Sequence, residues 1–188
     1  ITGAGMMDCK KALTEADIRT KFITPAMGSS AIADFGVWST GVDSPGQREI
    51  TDQLARQIQV EPDPLVRQAV IHAIAEFKTP MAQAVLEAGL ADQDEMVRVA
   101  CCEEIAERAA AGVTDPSYSA VPCLAKTLRE DKDQNVRIAA AKALGSMKSP
   151  EAIQSLSVAL DDRDPAMQYV GVQSMKEVTG KDYGPNVE

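Results

Sequence analysis

Four stretches of this chain share one arrangement of apolar and polar positions. Asp63 opens DPLVRQAVIHAIAEF, Asp94 opens DEMVRVACCEEIAER, Asp133 opens DQNVRIAAAKALGSM and Asp164 opens DPAMQYVGVQSMKEV. Four residues after each Asp stands Arg67, Arg98 or Arg137, with Gln168 in the last copy. One residue before that column come Val66, Val97, Val136 and Met167. Two after it come Ala69, Ala100, Ala139 and Val170, and seven after it Ile74, Ile105, Leu144 and Met175. Apolar residues at this spacing line one face of a helix. The small residues of the second column let neighbouring helices approach closely. Each Asp stands where a helix N-cap acceptor is wanted, and Pro64 and Pro165 follow at the position that needs no N–H.

Every such helix is preceded by another apolar-periodic segment. The predicted first helices are 47–60, 80–91, 120–129 and 150–160, and the second helices 64–78, 95–110, 134–147 and 165–178. The first helices from the second copy on bring Leu86 and Leu90, Leu124 and Leu128, Leu156 and Leu160. A supersecondary unit recurring at spacings of 31, 39 and 31 residues predicts stacked helix pairs sharing one continuous core. The second copy departs from the rule. Glu104 and Arg108 replace small or apolar residues, and AAAGVTDPSY (Ala109–Tyr118) lengthens the unit. A kink or widened junction is expected there.

Asp, then Val-Arg, then Ala-x-x-Ala-Leu-Gly, best kept in Asp133–Gly145, resembles the HEAT-repeat family over about residues 45–180, and in its short units the phycobilin-lyase-like HEAT proteins. That resemblance implies an all-α fold, a right-handed α-solenoid of about four helix pairs, with second helices lining the concave surface. It also implies a scaffold or adaptor that binds protein, while a minority of the family are enzymes. A tetrapyrrole-handling protein is the alternative, and it requires a deep apolar pocket, for example one holding Trp38 or Tyr169 beside the arginines.

The first 46 residues read differently. TGAGMMDCKKALTE (Thr2–Glu15) resembles the N-terminal signature of elongation factor Ts, which implies a small helical segment that contacts elongation factor Tu. Leu13–Met27 is similar to the opening of type I restriction-enzyme subunits. Neither resemblance continues, so residues 1–30 read as a helical or irregular leader, with a fused or engineered origin as one reading. Residues 31–46 hold Phe35 and Trp38, then a turn, and are expected to lid the first repeat. The array is assigned to residues 47–180 and a tail to 181–188. The chain opens on Ile1 rather than Met, the expectation for a fragment or processed product.

Composition narrows the function. Apolar residues make up 45% of the 188, aromatics only 4%, which suits closely packed helices more than a β-sandwich. A net charge of −9 disfavours nucleic acid and anionic membrane as partners. Cys9, Cys101, Cys102 and Cys123 show no metal-ligand spacing and read as small apolar residues in a reducing, cytoplasmic setting. With His72 the only histidine, neither a zinc site nor a Ser-His-Asp set is expected, and no phosphate-binding glycine loop is present. The expectation is a monomeric, non-enzymatic module without metal or cofactor.

Candidate binding residues fall in two columns. Arg67, Arg98 and Arg137 form a ladder along one edge of successive second helices. They are either donors for an acidic partner or structural residues bonding a turn Asp of their own or the neighbouring repeat. Five residues further on, His72, Glu103 and Lys142 share a column with Gln173 and are expected to project from the inner surface, as a solvated face or as partner contacts.

Overall fold

The computed structural model describes residues 45–112 and 120–181. All regular secondary structure among them is helical. The leader, the aromatic lid with Phe35 and Trp38, most of the Ala109–Tyr118 insertion, and the tail beyond Lys181 lie outside the described residues.

The helices come in pairs: α1 (Pro45–Val60) with α2 (Pro64–Ala75), α3 (Pro80–Gly89) with α4 (Glu95–Ala110), α5 (Val121–Glu130) with α6 (Gln134–Ser146), and α7 (Pro150–Leu160) with α8 (Pro165–Thr179). The local chemistry that starts them is the one the sequence spells. Asp63, Asp94, Asp133 and Asp164 are extended N-caps whose carboxylates accept from backbone N–H groups of the first turn. Thr79 Oγ1 accepts from Ala82 N–H at 3.1 Å, and Ser149 Oγ from Ala152 N–H at 3.1 Å, so α3 and α7 begin on a capped Thr-Pro and Ser-Pro. Helix α8 stops at Gly180, whose φ of 68° is the left-handed turn that closes helix ends.

The chain divides into two compact units, Ile1–Ala82 and Gln83–Glu188. In the first, α1 packs on α2. Ile50 and Leu54 of α1 and Val66, Val70, Ile71 and Ile74 of α2 are buried. Helix α2 ends three residues before its predicted limit at Lys78, because Phe77 already donates to the Ile74 carbonyl in a tighter turn and Pro80 restricts Thr79.

In the second unit the helices form two layers. Second helices α4, α6 and α8 lie side by side, α4 on α6 and α6 on α8. First helices α5 and α7 pack on each other and beneath their partners. Leu124 and Leu156 of the first helices are buried, as are Val97, Ile105, Val136, Leu144 and Met167 of the second helices. Each such side chain contributes about 1.5–3 kcal/mol by leaving water. Two glycines set the closest approaches. A Cβ on Gly145 of α6 would lie 3.0 Å from the Cα of Ser174 in α8, and one on Gly171 of α8 would lie 3.0 Å from the Cβ of Ala159 in α7. Gly171 is thus covered by α7, while Val170 is half-buried.

Of the kink or widened junction expected in the second copy, the helix shows no break, and most of the junction lies outside the described residues. Helix α4 runs unbroken from Glu95 through Glu104 and Arg108 to Ala110. Arg108 is buried and its Nε donates to Gln83 Oε1 of α3 at 3.2 Å. Burial pulls its pKa down, and the nearby Glu104 carboxylate opposes that shift. A polar bond across the helix pair stands at the position that Phe77, Met147 and Val178 fill in the other copies.

Candidate functional site

The turns between first and second helices repeat one hydrogen-bonded design. An acid two residues before the cap accepts from the cap's own N–H: Glu61 from Asp63 at 3.1 Å, Asp92 from Asp94 at 2.8 Å, Asp131 from Asp133 at 2.9 Å and Asp162 from Asp164 at 2.9 Å. The ladder residue then donates to the carbonyl six positions back. Arg67 Nη1 reaches Glu61 O at 3.1 Å, Arg98 Nη1 reaches Asp92 O at 2.7 Å, Arg137 Nη1 reaches Asp131 O at 2.9 Å, and Gln168 Nε2 reaches Asp162 O at 2.8 Å. An amide replaces the guanidinium in the last copy and still makes the shared bond.

Arg98 does more. Its Nε donates to Asp131 Oδ2 at 2.7 Å and its Nη2 to Asp131 Oδ1 at 3.0 Å. This two-pronged bond joins α4 to the turn before α6, and both side chains are nearly buried, at 5% and 9% exposure. Gln134 and the Asp164 carboxylate connect α6 to the next turn in turn. Those bonds set N-terminus beside N-terminus, and the Gly145–Ser174 approach sets the following turns together, so α4, α6 and α8 run parallel.

The six candidate residues therefore separate. Arg67 and Arg98 are each 4% exposed and point into the turns, and Arg137 is half-buried there. His72, Glu103 and Lys142, with Gln173, are exposed. His72 stands on α2 in the first unit. In the second unit Glu103, Lys142 and Gln173 stand on adjacent helices, on the side turned away from the first-helix layer that covers Gly171.

That side, the open face of the second unit, carries Tyr169 and, with it, residues the sequence reading passed over. Two positions before the ladder come Met96, Asn135 and Ala166, all exposed, and one position after it come half-buried Val99 and Ile138 and exposed Tyr169. Tyr169 is 66% and Met96 52% exposed. Nine positions after the ladder come Glu107, half-buried Ser146 and Glu177. These positions, with that of Glu103, Lys142 and Gln173, follow one another at three- and four-residue steps and form one stripe per helix. An apolar residue recurring at a position opposite the core stripe was the available signal, at Leu65 and Met96.

Chemistry that needs a reactive group finds little here. Among the described residues no group of three or more His, Cys, Asp or Glu is placed to hold a metal ion. Cys101 and Cys102 are buried free thiols. Desolvation, helped by the neighbouring thiol, pushes Cys101 far up, and desolvation with the Asp131 charge pushes Cys102 up to about 12. Both are unreactive at neutral pH. Tyr169 is too exposed to line a deep cleft, and Trp38 lies outside the described residues. No helix of the described residues is long and apolar enough to cross a membrane.

Comparison with known proteins finds the family model for HEAT repeats matching residues 37–106 and 85–176. No curated protein sequence matches the chain. Among solved structures, human deoxyhypusine hydroxylase in complex with glycerol is similar with a TM-score of 0.60 at 14% identity, over 91% of this chain and 72% of that one. An engineered protein is similar with a TM-score of 0.49 at 20% identity, over 93% of this chain and 79% of that one. At this identity the hydroxylase likeness concerns the fold.

Proposed function

The chain belongs to the HEAT-repeat family, and from that premise we propose that it is a non-enzymatic binding module whose partner is a protein. HEAT repeats suggest an interaction or scaffold-like helical module. The finer reading places the partner on the open face of the second helices, the side expected to line a concave surface. One observation carries it: on α4, α6 and α8 the open-face stripe holds Met96 and Tyr169 in solvent beside a polar column that differs in every copy. Exposed large apolar side chains ringed by polar ones are the usual anatomy of a protein-binding patch. The arginine ladder takes part by holding the turns, with Arg67, Arg98 and Arg137 each bonding the turn that starts its own second helix.

The partner is expected to be neither nucleic acid nor membrane, on the grounds of net charge, and the module to act as a monomer. The test is affinity capture by the full chain, compared with a Met96→Ser/Tyr169→Ser variant and with a variant changed at Ser157 on α7. The expected result is a captured protein lost with the first variant and kept with the second. Capture that survives both changes in folded protein removes the open face from the function.

A further inference from the structure

The open face is not uniform along the helices, and its two halves specify what chemistry can cover it. Toward the N-termini of α4, α6 and α8 lie Met96, Val99, Ile138 and Tyr169. Toward the C-termini lie Glu103, Glu107 and Glu177, with Lys142 the one cation in these columns of the second unit. Glu107 and Glu177 occupy the last turns of α4 and α8. A carboxylate there is locally unfavourable, because the unpaired carbonyls of a helix end already carry partial negative charge. The three helices are parallel, so their C-terminal ends lie along one edge and the fields add. Each glutamate is exposed, and the Glu177 carboxylate reaches over Gly145 of α6.

Resting on the binding reading above, we infer that the partner is a basic amphipathic protein segment. Its apolar side chains seat on Met96, Ile138 and Tyr169, and its Lys or Arg side chains face Glu103, Glu107 and Glu177. Tyr169 supplies a rigid anchor and Met96 an adaptable one. An acidic segment would bring like charges against the carboxylate row, whereas a basic one gains there in both encounter rate and register.

Two labelled synthetic helical peptides of one apolar pattern test this, one with lysine and one with glutamate on its polar side. Each is titrated by fluorescence anisotropy against the full chain. The lysine peptide is expected to bind at least about tenfold tighter, with a preference that shrinks as salt rises. The Glu103→Gln/Glu107→Gln/Glu177→Gln variant is expected to lose that preference. A control with equal charge removed off the face, Glu130→Gln/Glu151→Gln/Asp161→Asn, is expected to keep it. Equal loss in both variants, equal affinity for the two peptides, or binding of neither overturns the inference. If capture of the natural partner falls with Met96→Ser/Tyr169→Ser but ignores salt and the three Glu→Gln changes, the basic chemistry is wrong and the binding face stands. If it ignores all of them, the face itself is wrong.

Discussion

The turn edge and the open face of the same second helices obey opposite rules. On the turn edge the four copies agree: acid, capping Asp, and an Arg or Gln that closes on the carbonyl six residues back. In the column five residues after the ladder they disagree, with His72, Glu103, Lys142 and Gln173. The backbone N–H and C=O groups that open each second helix need partners, and one turn geometry repeated four times admits one solution. Side chains in solvent carry no such demand, so their identity is left to something outside the fold. Repetition marks structure here, and its absence marks the surface where a partner can be selected.

The largest test of the contrast is Arg98→Ala. It strands the nearly buried Asp131 carboxylate and opens the α4–α6 seam, and should cost about 3 kcal/mol in denaturant unfolding. Arg137→Ala removes one bond from a half-buried position and should cost about 1 kcal/mol. Equal costs would break the claim that Arg98 joins two repeats. Gly145→Val comes next, at about 2 kcal/mol by overpacking, since even its first added carbon would press on the Ser174 backbone.

The buried thiols sharpen the comparison through pH. Their folded pKa values lie above the ordinary 9.0, with Cys102 near 12. Below about pH 8 both states hold the protons, and the thiols leave stability unchanged with pH. Above about pH 9 the unfolded chain loses them first, so stability falls by about 1.4 kcal/mol per pH unit for each thiol. A Cys101→Ala/Cys102→Ala variant should show a shallower decline between pH 9 and pH 11 in chemical denaturation; parallel curves would mean that the thiols are not buried as described. Asp133→Ala deletes a cap and should cost about 1 kcal/mol. The smallest effect is expected on the open face. Glu103→Lys or Lys142→Glu should move stability by less than about 0.5 kcal/mol while changing partner capture. A large stability loss there would erase the distinction between edge and face.

Much of the fold was legible because it depends on short-range rules. Asp133 and Asp164 cap where capping chemistry says they must, and Leu124, Leu144 and Leu156 are buried where the helical period places them. The kink predicted at Glu104 and Arg108 was not legible correctly. A charged residue at a core position reads as a defect until its partner is known, and Gln83 lies 25 residues away on another helix. The candidate site was legible by half. His72, Glu103 and Lys142 reach solvent as the period predicts, and Arg98 bonds a turn Asp of the neighbouring repeat, one of the two readings of the ladder, but the backbone carbonyls that Arg67 and Arg137 bond were not foreseen.

The sequence by itself determined the helices, their caps, their pairing and the core stripe, because each rests on residues within a turn or two of one another. Only the tertiary structure decided what the polar side chains do. Each ladder residue closes on a carbonyl of its own turn, but whether it also bonds the next repeat, as Arg98 does through Asp131, depends on where that repeat's turn falls. Burial is a property of the stack, so the division into a committed edge and an open face appears only once the second helices lie side by side.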